Sequence, residues 1–179
     1  MRSTNLLLLA ALGLLCLSAT ATARKTKTFP NLNNCNQTPL TTPFRANVTV
    51  NGLTTCFSFY AAPANASEPC GSVTSLERFQ IWAKYDQRKT FDATLKTDKT
   101  TKEVFGSWAN KNGNRDELVF SKLNWTPEFV TKSKPQICIT LIRDIKDFYL
   151  SNTAGTVTFG LYSPGPRNSK CCPAYSVAV

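Results

Sequence analysis

Cysteine is the residue type in this 179-residue chain whose spacing most restricts its chemistry. Histidine is absent and no Cys-x-x-C occurs, so a structural zinc site, the competing use of cysteine, is not expected. The chain has seven cysteines, and six remain if Cys16 is removed with the N-terminal segment described below; an even number in an exported chain favours three disulfides. The neighbours Cys171 and Cys172 should not pair with each other, and we expect Cys56 to pair with Cys70 and close a local loop. The candidates are Cys35, Cys56, Cys70, Cys138, Cys171 and Cys172.

Side chains for catalysis are scarce. Without histidine there is no Ser-His-Asp or Cys-His nucleophile. A glycosidase needs only two carboxylates, ~5 Å apart for retention or ~6.5–9.5 Å for inversion, and Asp116, Glu117 and Glu128 are candidates that nothing places across a cleft. No Gly-rich phosphate loop and no Asp-x-Asp-x-Asp-Gly calcium loop occurs. We therefore expect no enzyme, no cofactor and no metal, and a carboxylate-dependent hydrolase is the least favoured alternative.

Basic residues outnumber acidic ones by 21 to 11. A solvated surface is the simplest interpretation of this excess. Binding of an anionic polysaccharide is the next, because arrays of Lys and Arg release counterions from a polyanion. Trp82 alternates with charged and polar residues and could stack on a sugar ring, although packing within a sheet is the commoner use of tryptophan. The polysaccharide-binding candidates are Trp82, Arg78, Lys84, Arg88 and Lys89.

Four Asn-x-Ser/Thr sequons are candidate glycosylation sites, at Asn36, Asn47, Asn65 and Asn124. A proline directly follows the sequons of Asn36 and Asn124 and should reduce their use. Asn47 and Asn65 are therefore the better candidates, and each could equally be an unmodified polar residue. Asn65 lies in a polar loop, where a glycan is accommodated most easily.

The N-terminus has the three parts of a secretory signal peptide over residues 1–23. Arg2 supplies the positive charge, Leu6 to Leu17 the apolar run, and Ala21-Thr22-Ala23 the cleavage site. A membrane anchor is the alternative, but the run is shorter than the ~20 residues that a bilayer span needs. Cleavage removes Cys16 and leaves six cysteines. We expect a secreted protein with no membrane span, for which nucleic acid is a poor partner.

Short alternating runs separated by turn residues predict an all-β domain. Residues 24–43 form an extended N-terminal lead-in, and residues 44–179 form the domain. Asn51-Gly52 between two β-rich runs predicts a hairpin. In Leu76 to Tyr85, Phe79 and Ile81 share one face and Trp82 lies on the other. Arg143 to Leu150 is the only run that favours a helix. The pattern predicts an antiparallel, disulfide-stabilised β-sandwich with at most one short helix.

Five strings along the chain together resemble the pherophorin domain of extracellular matrix glycoproteins in volvocine green algae. They keep the family's order, from an opening Phe-Pro to a closing Cys-Cys-Pro. They are Phe29-Pro30 followed by Cys35-Asn36 and Thr42-Pro43-Phe44-Arg45, then Cys56-Phe57-Ser58-Phe59-Tyr60, Leu76-Glu77-Arg78-Phe79-Gln80-Ile81, Gln136-Ile137-Cys138-Ile139-Thr140-Leu141, and Lys170-Cys171-Cys172-Pro173. The chain departs from the family in lacking its hydroxyproline-rich rod and several of its cysteines.

The resemblance implies a non-catalytic structural glycoprotein of the extracellular matrix or cell wall. Its partners would be anionic matrix polysaccharide or other matrix glycoproteins. A secreted cationic effector or defence protein that acts on anionic surfaces is the alternative that the positive charge leaves open.

Overall fold

A computed structural model describes residues 29–30, 34–109 and 115–179, with the side chains of residues 145 and 146 left out. The predicted signal peptide over residues 1–23 lies outside the described residues. No helix within the described ranges is long and apolar enough to cross a membrane.

Twelve strands and two short α-helices make up the described part of the chain. In chain order they are β1 (Cys35–Asn36), β2 (Phe44–Asn51), β3 (Thr54–Ala61), β4 (Leu76–Trp82), β5 (Phe91–Lys96), β6 (Thr101–Glu103), β7 (Ser107–Trp108), β8 (Glu117–Trp125), α1 (Pro127–Ser133), β9 (Gln136–Leu141), α2 (Ile145–Phe148), β10 (Thr156–Pro164), β11 (Lys170–Cys171) and β12 (Ala174–Ala178).

The strands form two sheets. The larger has the order β1-β11-β10-β4-β8-β7, with β12 also paired to β10, and the smaller has the order β2-β3-β9-β5-β6. All pairs are antiparallel except β1 with β11. The predicted antiparallel sandwich is therefore confirmed. The hairpin also forms, but Asn51 pairs with Thr54, so its two loop residues are Gly52, at φ +57°, and Leu53.

Phenylalanine rings fill the space between the sheets. Phe57 and Phe59 of β3 contact Phe79 of β4, with ring centroids 4.7 and 5.0 Å apart. Phe159 of β10 contacts the same cluster from the neighbouring strand. Phe79 and Ile81 are buried on the inner face of β4, as the alternation predicts. These contacts fix the position of β4, which carries Arg78 and Trp82 of the predicted binding residues and leads into the segment that carries the other three.

The six cysteines among the described residues form three disulfides, Cys35–Cys172, Cys56–Cys138 and Cys70–Cys171. The expected Cys56–Cys70 pairing is wrong, because Cys56 lies opposite Cys138 in the β3–β9 ladder with their Cα atoms 4.0 Å apart. Cys70 instead reaches Cys171 of β11 in the other sheet. Cys171 and Cys172 do bond to different elements, as their adjacency indicated.

The longer helix, α1, lies where no helix was predicted. Thr126 caps it by accepting a hydrogen bond from the Phe129 N–H (3.1 Å), and Pro127 occupies its first turn. Val130 is buried against the core. The Thr cap and the following proline are ordinary helix-start signals, but a helix of seven residues is too short to give a clear periodic pattern. The predicted helix at Arg143–Leu150 is only the four-residue α2.

Candidate functional site

Trp82 does not offer an exposed face for a sugar ring, so this prediction needs correction. Its side chain points to the outer face of the larger sheet, as predicted, yet only 6% of it is exposed. The ring of Phe29 stacks on it at 5.9 Å, with 12° between the ring planes. Phe29 also lies against Gly160 of the adjacent strand. Phe29, from the predicted N-terminal lead-in, therefore covers the ring that was the candidate for stacking on a sugar.

Arg78 lies on the same strand but apart from the other cationic candidates. Its guanidinium carbon is 4.7 Å from the centroid of the Tyr162 ring on β10. Six residues separate Arg78 from Lys84, which is about 20 Å along an extended chain. Arg78 therefore belongs to a different surface.

The remaining cationic candidates gather around one aromatic ring at the end of β4. Tyr85 begins a 3₁₀ turn that ends at Gln87. The guanidinium of Arg88 lies 4.5 Å from the centroid of the Tyr85 ring, and that of Arg115 lies 5.4 Å from it. Lys84 and Lys89 flank this turn in the chain. We call Lys84, Tyr85, Arg88, Lys89 and Arg115 the Tyr85 cluster.

Hydrogen bonds and a ring contact from three segments hold the Tyr85 cluster in place. The carboxylate of Asp116 accepts a hydrogen bond from the Tyr85 N–H (3.0 Å), and the Asp116 carbonyl accepts one from the Ala83 N–H (3.1 Å). The N–H of Lys84 donates to the carbonyl of Phe148 (2.9 Å). The Tyr85 ring meets Trp108 edge to face at 5.6 Å. The ring therefore rests on the end of the core.

Arg115 is the member of the cluster that sequence analysis missed. It is 27 positions from Arg88 and follows a segment without a clear pattern. It reaches Tyr85 because β8 pairs with β4 in the register that puts Glu117 opposite Trp82. The available signal was a basic residue shortly before the alternating run that begins at Glu117, and such a signal does not say which strand is its neighbour.

Cationic side chains outnumber carboxylates in the Tyr85 cluster and its immediate sequence neighbours. The cluster contains four cationic side chains, and two carboxylates, Asp86 and Asp116, adjoin it in sequence. Asp116 is engaged with the Tyr85 N–H. Arg88, Lys89 and Arg115 are exposed. A planar guanidinium can bind a carboxylate or sulfate through two parallel hydrogen bonds, so the arrangement suits an anionic group from solution.

The structure does not bring the three candidate catalytic carboxylates together as a group. Asp116 supports Tyr85, Glu117 is buried on the outer face opposite Trp82, and Glu128 pairs with Lys132 on the surface of α1 at 2.6 Å. Among the described residues, no group of three His, Cys, Asp or Glu side chains could hold a metal ion.

All four sequon asparagines are exposed. Asn47 lies on β2, an edge strand of the smaller sheet. The amide oxygen of Asn65 accepts hydrogen bonds from the N–H and the hydroxyl of Ser67, at 3.1 and 2.7 Å. Asn36 likewise accepts one from the Thr38 N–H. Asn124 lies near the end of β8 in a left-handed conformation, with φ +51°.

Residues 29–173 match the family described as Pherophorin. The chain belongs to the pherophorin family. Pherophorins are structural glycoproteins of the extracellular matrix, and the three disulfides are consistent with export to such a compartment. The match begins at Phe29, which covers Trp82, and ends at Pro173, next to Cys172.

No curated protein matches the chain. One solved structure is similar, the crystal structure of ACE19, the collagen binding subdomain of Enterococcus faecalis surface protein ACE. The sequence identity is 10%, the alignment covers 74% of this chain and 91% of the other, and the TM-score is 0.29. At that TM-score the similarity supports no conclusion about the fold or the function of this pherophorin.

Proposed function

We propose that the chain is a secreted, non-catalytic glycoprotein of the extracellular matrix or cell wall whose Tyr85 cluster binds anionic matrix polysaccharide. The observation that carries the proposal is the placement of two guanidinium groups, from Arg88 and Arg115, against one tyrosine ring. Family membership supports the matrix as the setting. The acidic glycans of neighbouring matrix glycoproteins present the same chemistry.

Preorganisation of the arginines favours binding. A long side chain free in solvent loses conformational entropy when it is fixed by a ligand. Contact with Tyr85 restricts both arginines before a ligand arrives, because a cation is attracted to the face of an aromatic ring. Their guanidinium N–H groups remain available to carboxylate or sulfate oxygens because both side chains are exposed.

Binding should depend on salt. A polyanion releases condensed counterions when cationic side chains neutralise it, and the gain falls as the salt concentration rises. The exposed charges are also screened beyond a Debye length of about 8 Å at physiological ionic strength. Retention in a matrix by this cluster therefore weakens in concentrated salt.

The test compares immobilised polygalacturonate and dextran sulfate with neutral dextran, using the full chain expressed through an oxidising secretory pathway. We expect binding to both polyanions and none to dextran. The double variant Arg88→Gln, Arg115→Gln should bind about fivefold more weakly for each arginine removed. The matched control is Lys96→Gln, Lys102→Gln, which removes equal charge from exposed positions on β5 and β6.

Equal losses in the two double variants would show that only net charge matters and would refute the site. The pair Arg88→Lys, Arg115→Lys separates charge from geometry. If the planar guanidinium groups matter, these lysines should not restore full affinity.

Secretion and glycosylation are part of the same proposal. N-terminal sequencing of the secreted protein should begin at Arg24 if residues 1–23 are a signal peptide. Removal of N-glycans should lower the mass of the secreted protein by one glycan for each occupied site. Asn47→Gln and Asn65→Gln should each reduce that mass difference by one glycan. The exposure of both asparagines supports these sites.

A further inference from the structure

A groove of about 510 Å³ with several polar and charged side chains in its lining lies on the outer face of the larger sheet. Residues of β4, β7 and β8 line it, and we call it the outer groove. We infer that the outer groove binds a neutral, hydroxyl-rich saccharide. The residues that carry the argument are Glu77, Arg78, Gln80, Glu117, Lys122 and Asn124.

Gln80 places an unpaired acceptor in the outer groove. Its side chain is 2% exposed, and its amide oxygen Oε1 has no hydrogen-bond partner among the described residues. It lies between Val119 of β8 and Gly160 of β10, on the face opposite Phe79 and Ile81. A buried carbonyl without a donor is unfavourable, so a ligand O–H group that reaches it through a small shift of the groove lining gains more than it would at the surface.

An irregularity in β8 directs further polar side chains into the groove. Leu76 pairs with Trp125 and Arg78 with Ser121, so three residues of β8 lie opposite Glu77 alone. Two of those three, Lys122 and Asn124, have left-handed backbones, with φ +60° and +51°. A bulge of this kind changes the direction of side chains that strict alternation would place elsewhere. As a result Glu77, Lys122 and Asn124 all line the same groove.

The charges of the groove favour a neutral ligand. Two carboxylates, Glu77 and Glu117, balance two cations, Arg78 and Lys122. Each sugar hydroxyl both donates and accepts, which suits a lining that alternates carboxylate and amide oxygens with guanidinium and ammonium groups. Arg78 is held in position by the Tyr162 ring, at 4.7 Å. A polyanion would meet both carboxylates and gain nothing in net charge.

This inference does not depend on the function proposed for the Tyr85 cluster. The two sites differ in charge, so they should differ in their response to salt. Polyanion binding at the cluster should weaken in concentrated salt, whereas saccharide binding in the outer groove should persist because the ligand carries no charge.

The experiment titrates the full chain with neutral oligosaccharides of glucose, mannose, galactose and xylose, in low and in high salt. Nuclear magnetic resonance follows the side-chain amides and the backbone. We expect at least one of these sugars to shift the Gln80 side-chain amide and the Lys122 and Asn124 backbone signals at both salt concentrations. Gln80→Leu removes the acceptor at similar volume and should weaken binding about tenfold. Gln136→Leu, on β9 of the other sheet, is the matched control and should bind normally.

Three results would overturn the inference. The first is the absence of shifts with every sugar tested. The second is binding whose shifts map to another face. The third is unchanged affinity in Gln80→Leu while that variant keeps the wild-type fold. Because Gln80→Leu removes an unpaired buried acceptor, it should fold at least as stably as the parent, and thermal unfolding checks this.

Discussion

Removal of the Cys56–Cys138 disulfide should destabilise the protein by about 4 kcal/mol. The two cysteines are 82 positions apart, and loop-closure entropy for that separation corresponds to about 4.5 kcal/mol. The remaining disulfides shorten the loop in the unfolded chain. The path from Cys56 to Cys70, across to Cys171 and back to Cys138 has about 47 residues, which lowers the value to about 4 kcal/mol.

The folded state should change little in the double variant Cys56→Ala, Cys138→Ala. Strands β3 and β9 remain joined by their own ladder from Thr54↔Thr140 to Ser58↔Gln136. The loss should therefore come mainly from the greater freedom of the unfolded chain. Denaturant unfolding without reductant measures it, and the slope m should rise because the unfolded chain exposes more surface.

A loss below about 1 kcal/mol, with an unchanged slope, would refute this reasoning. A second measurement tests the pairing even if the double variant does not accumulate. In the single variant Cys56→Ala, thiol labelling should find Cys138 free. Labelling of Cys70 instead would restore the local pairing that sequence analysis favoured and would contradict the β3–β9 register.

Three other predictions follow from the packing and the helix cap. Phe79→Ala removes a ring in contact with Phe57, Phe59 and Phe159 and should cost about 3–5 kcal/mol in chemical unfolding, whereas Tyr60→Ala, at an exposed position, should cost far less. Thr126→Ala removes the cap of α1 and should cost about 1 kcal/mol, while Thr126→Ser should retain most of the stability. Burial raises the pKa of Tyr149 above its ordinary value of 10.0. The stability that its neutral hydroxyl contributes to the folded state is therefore intact below pH 10 and is lost as the pH rises toward the folded-state pKa. Unfolding measured above pH 10 should show that decline in the parent and a weaker one in Tyr149→Phe; equal declines would mean that another group is responsible.

Much of the fold could be predicted because its signals are local. The Asn51-Gly52 pair indicates a hairpin within a few residues of chain, and the alternation of Phe79 and Ile81 indicates an inward face without reference to any partner. The start of α1 was equally local, with Thr126 before Pro127, and it was missed because the run is short. Family resemblance was readable for the same reason, since each of its strings is a continuous segment.

The candidate sites were only partly predictable. Lys84, Arg88 and Lys89 are close in the chain, so their grouping followed from the sequence. Trp82 illustrates the limit, since period-two alternation correctly placed it on the outer face and could not reveal that Phe29 covers it. The polar lining of the outer groove was hidden for a different reason, because the irregularity in β8 breaks the alternation at Lys122 and Asn124.

The sequence by itself determined the class of the fold, the family, the use of six cysteines in disulfides and the excess of positive charge. These properties depend on composition and on the order of residues within short segments. Tertiary structure alone decided that Cys56 bonds to Cys138, that Arg115 joins Arg88 at Tyr85, and that the Gln80 amide oxygen is buried without a donor from the described part of the chain. Each of these depends on which strands are neighbours and in what register, and that choice is made by the packing of the two sheets over the whole chain.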